Sequence, residues 1–458
     1  MKRGVVLILV LFLRASAQDR YLVRIHSDEV THFALNHGLT VLTAPDDPRN
    51  PKIGSIGPLA GFPQDLYLAT LASGPSSRKA LQSIQGDPSV QRLEADQNVE
   101  LPRKNAKTRN ARTSSQLSAT ASRISGSANY FGTSAWSAYV NQPAAGIVRI
   151  QDAHRFATGA GTVAFLDTGV DFTNPVLAGS LNFGWDFTTN TPWGWETNTV
   201  QVSQSTTSIL DDDSIMVLDQ STTSILDQST TSILDQSTTS ILDGKPATSA
   251  YGHGTMIAGI IHLVAPTARL LPVKVFWNDG TSNLSTVLSG LYWAVNHGAK
   301  VINMSFSMSD YSAEFSKALD YANSHGVISV ASAGNDGQQV MVYPAGYSQA
   351  MGVASTNNSH QRSSFSNYGN SLVTVAAPGE GVISTYPNFQ YAAGWGTSFS
   401  APFVSGAAAL LVDISGNIDE ARAQQAISHV WPIGQGLGAG ELDLFQACSY
   451  QATHNRGN

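Results

Sequence analysis

Hydrophobic and polar positions alternate along most of this chain in a way that predicts strands followed by helices. Short apolar runs come first, and longer segments with apolar residues at helical spacing follow several of them. Such alternation predicts an α/β domain with a mainly parallel sheet and helices on both faces. The predicted strands are Val163–Asp167, Ala268–Phe276, Val301–Phe306, Val327–Ala331 and Leu372–Ala376, and the predicted helices are Asn283–His297, Ala313–His325 and Ser400–Val412.

A smaller unit with a different pattern precedes this domain, over residues 18–101. Its segments predict a small α+β domain, although residues 27–64 fit the pattern poorly because they contain extra Pro and Gly. The predicted elements are strands at Arg20–His26, Asp65–Leu71 and Val90–Val99 and a helix at Ser76–Gln85.

The two units are joined by residues 102–128, which are rich in Ser, Thr, Ala and basic side chains. This composition predicts an exposed linker of the kind that proteases cut. We therefore expect maturation to cut the chain here. The second domain is assigned to residues 129–450 and a tail to 451–458.

The first 17 residues have the pattern of a signal peptide. Lys2 and Arg3 precede an apolar core, and Ala15-Ser-Ala17 fits a cleavage site. This pattern predicts export of the protein. No later stretch is predicted to span a membrane, and the single cysteine, Cys448, permits no internal disulfide and is expected in the core.

Five octapeptides at 204–243 interrupt the second domain. Four are Gln-Ser-Thr-Thr-Ser-Ile-Leu-Asp, and the copy at 212–219 is degraded. Two apolar residues per octad can hardly build a core, so the repeat is predicted to be an expanded surface loop. Because Asp recurs every eight residues, an ion-binding or adhesive module is the alternative. We expect deletion of 204–243 to leave activity intact.

The charge of the chain argues against nucleic-acid binding. The formal net charge is −7, with +3 on residues 1–17, +2 on residues 18–112 and −12 on residues 113–458. No basic stripe or aromatic-basic interleaving is present. The mildly basic residues 18–112 and the acidic residues 113–458 instead suit binding to each other within one chain.

Three short motifs provide an acid, a histidine and a serine among small residues. Asp167 ends an apolar strand before Thr-Gly, His253 lies between two glycines, and Ser398 lies in Gly-Thr-Ser-Phe-Ser-Ala-Pro. A serine nucleophile needs a base and a third group that holds the base. The order Asp, His, Ser differs from that of α/β-hydrolases and of the chymotrypsin type, and Ser400 replaces the glycine that an α/β-hydrolase elbow requires.

These motifs, in this order, resemble those of the subtilase (subtilisin-like) serine peptidase family over roughly residues 139–448. The resemblance implies a subtilisin-like fold and a secreted endopeptidase that works through an acyl-enzyme. Ser398 would be the nucleophile, His253 the base and Asp167 the residue that orients the histidine. Asn335, in a Gly-Asn turn, matches the family's oxyanion-hole residue.

The resemblance also implies how partners bind. Polypeptide substrates would bind as extended strands, and residues 18–101, with Val90-x-x-Leu-Glu-x-Asp96, are similar to the propeptide that inhibits subtilases until it is removed. An unrelated accessory domain is the alternative for that unit. The residues assigned to the walls of the main specificity pocket are Ser305, Phe306, Ser307, Ser332, Ala333 and Gly334, where Ser307 replaces a frequent Gly and is expected to narrow the pocket.

No cofactor is expected for catalysis. Gly259–Pro266 leaves no room for the calcium-binding loop that the family often has after its histidine motif, and His262, His297 and His325 lack the spacing of metal ligands. Whether the protein binds calcium is therefore left open, and the sequence assigns no site for it. Two alternatives to a peptidase remain: an inactive interaction protein whose acidic repeat is the working part, and an acyl hydrolase that uses the same triad.

Overall fold

A computed structural model describes residues 19–48, 51–59, 65–72, 75–101, 126–196, 215–218 and 250–455. Within it the chain forms two compact units, Met1–Asp96 and Gln97–Asn458. The predicted signal peptide, most of the linker and the four undegraded octads lie outside the described residues.

The first unit is a five-stranded sheet with two helices. The strand order is β2-β3-β4-β1-β5, and all neighbours are antiparallel except β2 and β3. Its core includes Val23, Phe33, Ile56 and Ile84, which come from strands and helices alike. Its elements are β1 Asp19–Arg24, α1 Val30–Asn36, β2 Thr40–Val41, β3 Ser55–Pro58, β4 Leu66–Leu71, α2 Pro75–Gln85 and β5 Arg92–Ala95.

The predicted strand Val90–Val99 is wrong as a single element. Arg92–Ala95 pairs with β1, whereas Asn98–Glu100 (β6) belongs to the second unit and pairs with Thr281–Asn283 (β14). The segment at 27–64, which fitted the pattern poorly, contains α1, β2 and β3.

An eight-stranded sheet organises the second unit, in the order β11-β10-β13-β9-β15-β16-β17-β18. Only β10 and β11 are antiparallel; every other neighbouring pair is parallel, as predicted. The strands are β9 Thr162–Asp167, β10 Gly184–Asp186, β11 Thr191–Trp193, β13 Arg269–Lys274, β15 Ala299–Met304, β16 Ile328–Ser332, β17 Met351–Thr356 and β18 Val375–Pro378. Strand β18 therefore begins three residues after the predicted start at Leu372.

Both faces of this sheet are covered. On β9, Val163 and Phe165 belong to one hydrophobic cluster, and the alternating Ala164 and Leu166 are also fully buried. The fold class is therefore α/β with a mainly parallel sheet covered on both faces, as predicted. The helices of the unit are α3 Ser137–Val140, α4 Pro143–Ile147, α5 Ile150–Ala153, α6 His253–Val264, α7 Leu284–Asn296, α8 Ala313–Ser324, α9 Thr397–Ser415, α10 Glu420–Ile427 and α11 Leu444–His454.

Smaller sheets surround the main one. Antiparallel β19 and β20 form a hairpin, and β12, the described part of the degraded octad, pairs with β20. Strand β7 pairs with β8, and β6 pairs with β14. The bounds are β7 Ser127–Tyr130, β8 Thr133–Trp136, β12 Ile215–Leu218, β19 Glu380–Tyr386 and β20 Gln390–Trp395.

Helix α9 bears on the expectation that no later stretch spans a membrane. Among the described residues, its 19 residues alone meet the length and hydropathy of a spanning helix. However, 89% of the apolar window is buried inside the protein, so α9 is a core helix. It packs on α6 and on the parallel strands β15, β16 and β17.

Candidate active site

Asp167 and His253 meet because the sheet and the helix that carry them are adjacent. Asp167 is the last residue of β9, at the carboxyl end where parallel sheets place their ligands, and His253 is the first residue of α6. The imidazole Nδ1 lies 2.8 Å from Asp167 Oδ1, and both side chains are buried. Asp167 Oδ1 also accepts the Thr168 backbone N–H at 2.8 Å.

A glycine after His253 makes this approach feasible. A Cβ at Gly254 would lie 2.0 Å from the Gly169 carbonyl oxygen and 3.2 Å from Asp167 Oδ1. Any side chain here would push the start of α6 away from the end of β9 and the turn after it. Gly254 is therefore needed to bring His253 to Asp167.

Ser398 lies in the first turn of α9, rather than ahead of the helix as predicted. It is 2% exposed, and its hydroxyl donates to the Ser305 carbonyl oxygen at 3.3 Å, while the Ser305 hydroxyl donates to the Ser398 carbonyl at 2.9 Å. The neighbouring Phe399 ring lies 5.4 Å from the His253 ring, centroid to centroid. The structure thus brings Asp167 and His253 into contact and places Ser398 next to Phe399, whose ring lies beside His253.

Asn335 lies beside the start of α9. Its Oδ1 accepts both the backbone N–H and the hydroxyl of Thr397, each at 2.9 Å. These two bonds set the direction of the amide. A Cβ at Gly396 would lie 3.1 Å from Asn335 Nδ2, so the glycine leaves room for the amide nitrogen at the N-terminus of the helix.

The predicted pocket residues occupy two adjacent strand ends. Phe306 is fully buried and packs on Phe276 and Phe315, and Ser332 and Ala333 are also fully buried. Gly334 has φ of +90° and donates its N–H to the Thr397 hydroxyl at 3.1 Å. Ser305 contacts Ser398, as described above. The assignment of these residues to a specificity pocket stays a prediction.

Ser307, the sixth predicted pocket residue, pairs with a strand from the chain itself. Its N–H donates to the Glu100 carbonyl at 3.3 Å, and the Leu101 N–H donates to the Gly280 carbonyl at 2.9 Å. Strand β6 thus lies as an extended, antiparallel segment between β14 and Ser307. The side chains of Val99 and Leu101 are buried, whereas Asn98 and Glu100 are exposed.

Glu196 is a buried carboxylate at this site that the sequence reasoning missed. It accepts hydrogen bonds from Gly252, Thr168 and Thr255, which flank the two predicted triad residues. Burial raises its pKa, while the hydroxyls of Thr255 and Thr168 and the charge of Lys274 oppose the shift. The only sequence signal was an acid within Trp-Gly-Trp-Glu, 57 positions before His253 and next to the insertion.

No cluster of three or more His, Cys, Asp or Glu side chains that could hold a metal occurs in the described part of the chain. Helix α6 continues from His253 to Val264 without a break, so the described residues offer no loop there for calcium.

Comparison with known proteins gives consistent matches. The model of the Subtilase family matches residues 159–438. Subtilisin BL from Lederbergia lenta is 43% identical over 178 residues, which cover 37% of this chain and 66% of that protein. Thermitase from Thermoactinomyces vulgaris is 31% identical over 318 residues, which cover 66% of this chain and 94% of thermitase. The chain thus spans just under two thirds of subtilisin BL and nearly all of thermitase.

A solved structure shows the same fold. Fervidolysin from Fervidobacterium pennivorans, described as a keratinolytic enzyme related to subtilisin, superimposes with a TM-score of 0.64 at 20% sequence identity. The match covers 94% of this chain and 61% of the fervidolysin chain.

Proposed function

Because the chain belongs to the subtilase family, we propose that it is a serine-type endopeptidase that hydrolyses peptide bonds through an acyl-enzyme. The observation that carries the proposal is the 2.8 Å contact between His253 Nδ1 and Asp167 Oδ1 beside the helix turn that holds Ser398. A histidine held in this way by a buried carboxylate presents its other nitrogen as a base.

In the proposed mechanism, Ser398 Oγ attacks the scissile carbonyl carbon. His253 Nε2 takes the hydroxyl proton and later gives it to the leaving amine, and Asp167 stabilises the imidazolium that forms between these steps. The Ser398 hydroxyl must first turn from the Ser305 carbonyl toward His253. Hydrogen bonds between catalytic residues are often long or poorly aligned before substrate binds. Water then attacks the acyl-enzyme with His253 again as the base, and no cofactor takes part in these steps.

The tetrahedral intermediate needs hydrogen-bond donors for its oxyanion. Asn335 Nδ2 and the Ser398 backbone N–H are the proposed donors. The two bonds from Thr397 to Asn335 Oδ1 support this role, since they fix the amide before the reaction begins.

Strand β6 supports the proposal that substrates bind as extended strands. A peptide that lies antiparallel to β14 and bonds Ser307 gains main-chain hydrogen bonds that do not depend on its sequence. Buried Val99 and Leu101 support a preference for aliphatic side chains two residues apart.

We further propose that the protein is secreted as a zymogen. A substrate cannot occupy the edge of β14 while residues 98–100 are paired there, which supports intramolecular inhibition by the segment that precedes the linker. Cleavage within 102–128 would break the covalent connection between this strand and the rest of the second unit. N-terminal sequencing of the secreted protein checks this, and a mature N-terminus near Gln18 would contradict it.

The test of the enzymatic function is labelling with a fluorophosphonate probe, followed by cleavage of casein by the mature form. Wild type should be labelled and Ser398→Ala should not. Ser400→Ala is the matched control, because Ser400 lies in the same motif and donates instead to Pro378. No labelling of wild type would favour an inactive interaction protein, and labelling without casein cleavage would favour an acyl hydrolase.

A further inference from the structure

Glu196 connects the end of β9, which carries the predicted acid, with the start of α6, which carries the predicted base. Its Oε1 accepts the Gly252 N–H at 2.6 Å and the Thr168 hydroxyl at 2.7 Å, and its Oε2 accepts the Thr255 hydroxyl at 2.5 Å and the Thr255 N–H at 3.3 Å. Thr168 follows Asp167, and Gly252 precedes His253. One side chain therefore bonds both sides of the Asp167–His253 pair.

Both hydroxyls donate to Glu196, because an ionised carboxylate only accepts hydrogen bonds, and each hydroxyl oxygen also accepts a backbone N–H. Thr168 Oγ1 accepts the Gly254 N–H at 3.0 Å, and Thr255 Oγ1 accepts the Asp171 N–H at 3.0 Å. The Thr255 hydroxyl donates its proton to Glu196, and the Thr168 hydroxyl lies closer to Glu196 Oε1, at 2.7 Å, than to its other acceptor, Asp167 Oδ1, at 3.3 Å. The carboxylate faces four donors, which is the surrounding that suits its ionised form.

Backbone contacts hold Glu196 in place. Its N–H donates to the Val170 carbonyl at 3.0 Å, and the Val170 N–H donates to the Gly194 carbonyl at 3.1 Å. The buried Lys274 donates to the Thr168 carbonyl at 2.5 Å and provides a positive charge on the other side of Thr168. Glu196 is 6% exposed, so water cannot take over its bonds.

We propose that Glu196 is a positioning residue that holds His253 against Asp167 through Thr168 and Gly252. This inference rests on the proposed function of the triad. Replacement by Gln keeps the shape of the side chain but turns an NH₂ group toward donors, so one side of the network must open.

The first test is kinetic, on the mature enzyme. Glu196→Gln should lower kcat about 10- to 100-fold with little change in KM, since β14 and Ser307, which bind the peptide, are untouched. Thr168→Val removes the hydrogen bond from the Thr168 hydroxyl to Glu196 and should lower kcat less than Glu196→Gln does. In the Glu196→Gln background, the same change should lower kcat by less than a further threefold. Asp186→Asn is the matched control. This buried carboxylate accepts hydrogen bonds from the Thr188 and Thr189 N–H groups, and not from the residues beside Asp167 and His253.

The second test needs no activity. In the Ser398→Ala protein, the His253 Nδ1 proton that bonds Asp167 should give a downfield NMR resonance, which Glu196→Gln should weaken or shift upfield and Asp186→Asn should not. Unchanged kcat, or an unchanged resonance with only a lower Tm, would overturn the proposal. If Glu196→Gln does not fold, Thr168→Val gives the same readouts. Failure of the proposed function would appear separately, as absent fluorophosphonate labelling of wild type.

Discussion

Thr397 holds the side-chain amide of Asn335 with two hydrogen bonds, from its N–H and from its hydroxyl, both 2.9 Å long and both to Oδ1. The same hydroxyl accepts the Gly334 N–H at 3.1 Å. Thr397 is fully buried, so its rotamer is fixed by these partners. The residue before the proposed nucleophile therefore aims the proposed oxyanion donor.

Removal of the Thr397 hydroxyl should impair turnover rather than binding. Thr397→Val keeps the shape of the side chain but loses one bond to Asn335 and leaves the Gly334 N–H unsatisfied, so kcat should fall about tenfold with KM nearly unchanged. Thr397→Ser, which keeps the hydroxyl, should stay close to wild type. Steady-state kinetics on a peptide substrate would check both.

Replacement of Asn335 itself should lower kcat more than replacement of Thr397, which orients its amide. Asn335→Leu should reduce kcat about 10²- to 10³-fold, the usual effect of one lost oxyanion donor. If kcat were unchanged in this variant, Asn335 would not be the donor, and the effect of Thr397→Val would have to come from the helix turn.

The fold class could be predicted from the sequence, whereas the catalytic roles of the candidate site residues stay predictions. Asp167, His253, Ser398 and Asn335 stand in short motifs, because small neighbours are required wherever two backbones and a substrate approach closely. The parallel strands were also predictable, since strands covered on both faces are continuously apolar. The pairing of β6 with β14 was not, because Asn98–Glu100 continues the pattern of β5 and only long-range contacts separate them.

Glu196 illustrates what sequence reasoning cannot supply. A single acid has no periodicity, and its partners lie 28 to 59 positions away along the chain. Its importance follows only from the fold, which brings Thr168, Gly252 and Thr255 around one carboxylate. The Asp-Thr-Gly and His-Gly-Thr motifs provided the threonines but not the residue that binds them.

A second buried acid, Glu420, should make stability depend on pH. It is the first residue of α10 and is 9% exposed, and neither carboxylate oxygen has a well-formed hydrogen bond among the described residues. Burial raises its pKa from 4.5 to about 8, and the nearby Ser329 N–H and Asn323 amide offset only part of this shift. The neutral form stabilises the fold fully below pH 4.5, and this contribution is lost as pH rises toward 8.

Glu420→Gln should remove this loss, which amounts to roughly 3–5 kcal/mol if the whole shift is realised. In the Ser398→Ala background, which is expected to prevent self-digestion, the variant should have the Tm of its parent near pH 4.5 and a higher Tm at pH 9. Asp419→Asn, the exposed neighbour whose N-cap bond Asn can replace, is the control. Parallel Tm curves for the Gln variant and its parent would contradict the prediction.

The single thiol should be inert in the folded protein. Cys448 is 1% exposed in α11, and burial raises its pKa to about 12, with the charges of Asp443 and Asp413 adding to the shift. Since the thiolate is the reactive form, Ellman's reagent at pH 8 should not react with the native protein and should react with one thiol per chain in guanidinium. Equal rates in both conditions would show that the thiol is accessible.

The octapeptide repeat should divide into a part that supports the fold and a part that does not. Ile215–Leu218, in the degraded copy, pairs with Tyr391–Gly394 of β20 and completes a three-stranded sheet. Deletion of the last two octads, 228–243, leaves that strand in place and about halves the connection to Ala250. Halving a loop changes its closure free energy by only about 0.6 kcal/mol, so Tm and kcat/KM should stay near wild type.

Deletion of all five octads, 204–243, should behave differently. It removes the partner of β20 and leaves that strand as an edge of unpaired N–H and C=O groups, so Tm should fall while the fluorophosphonate probe still labels Ser398. Comparison of the two deletions by calorimetry and labelling would separate these roles. If the shorter deletion lowered Tm as much as the longer one, the undegraded octads would have to stabilise the fold themselves, and the surface-loop interpretation of the repeat would be wrong.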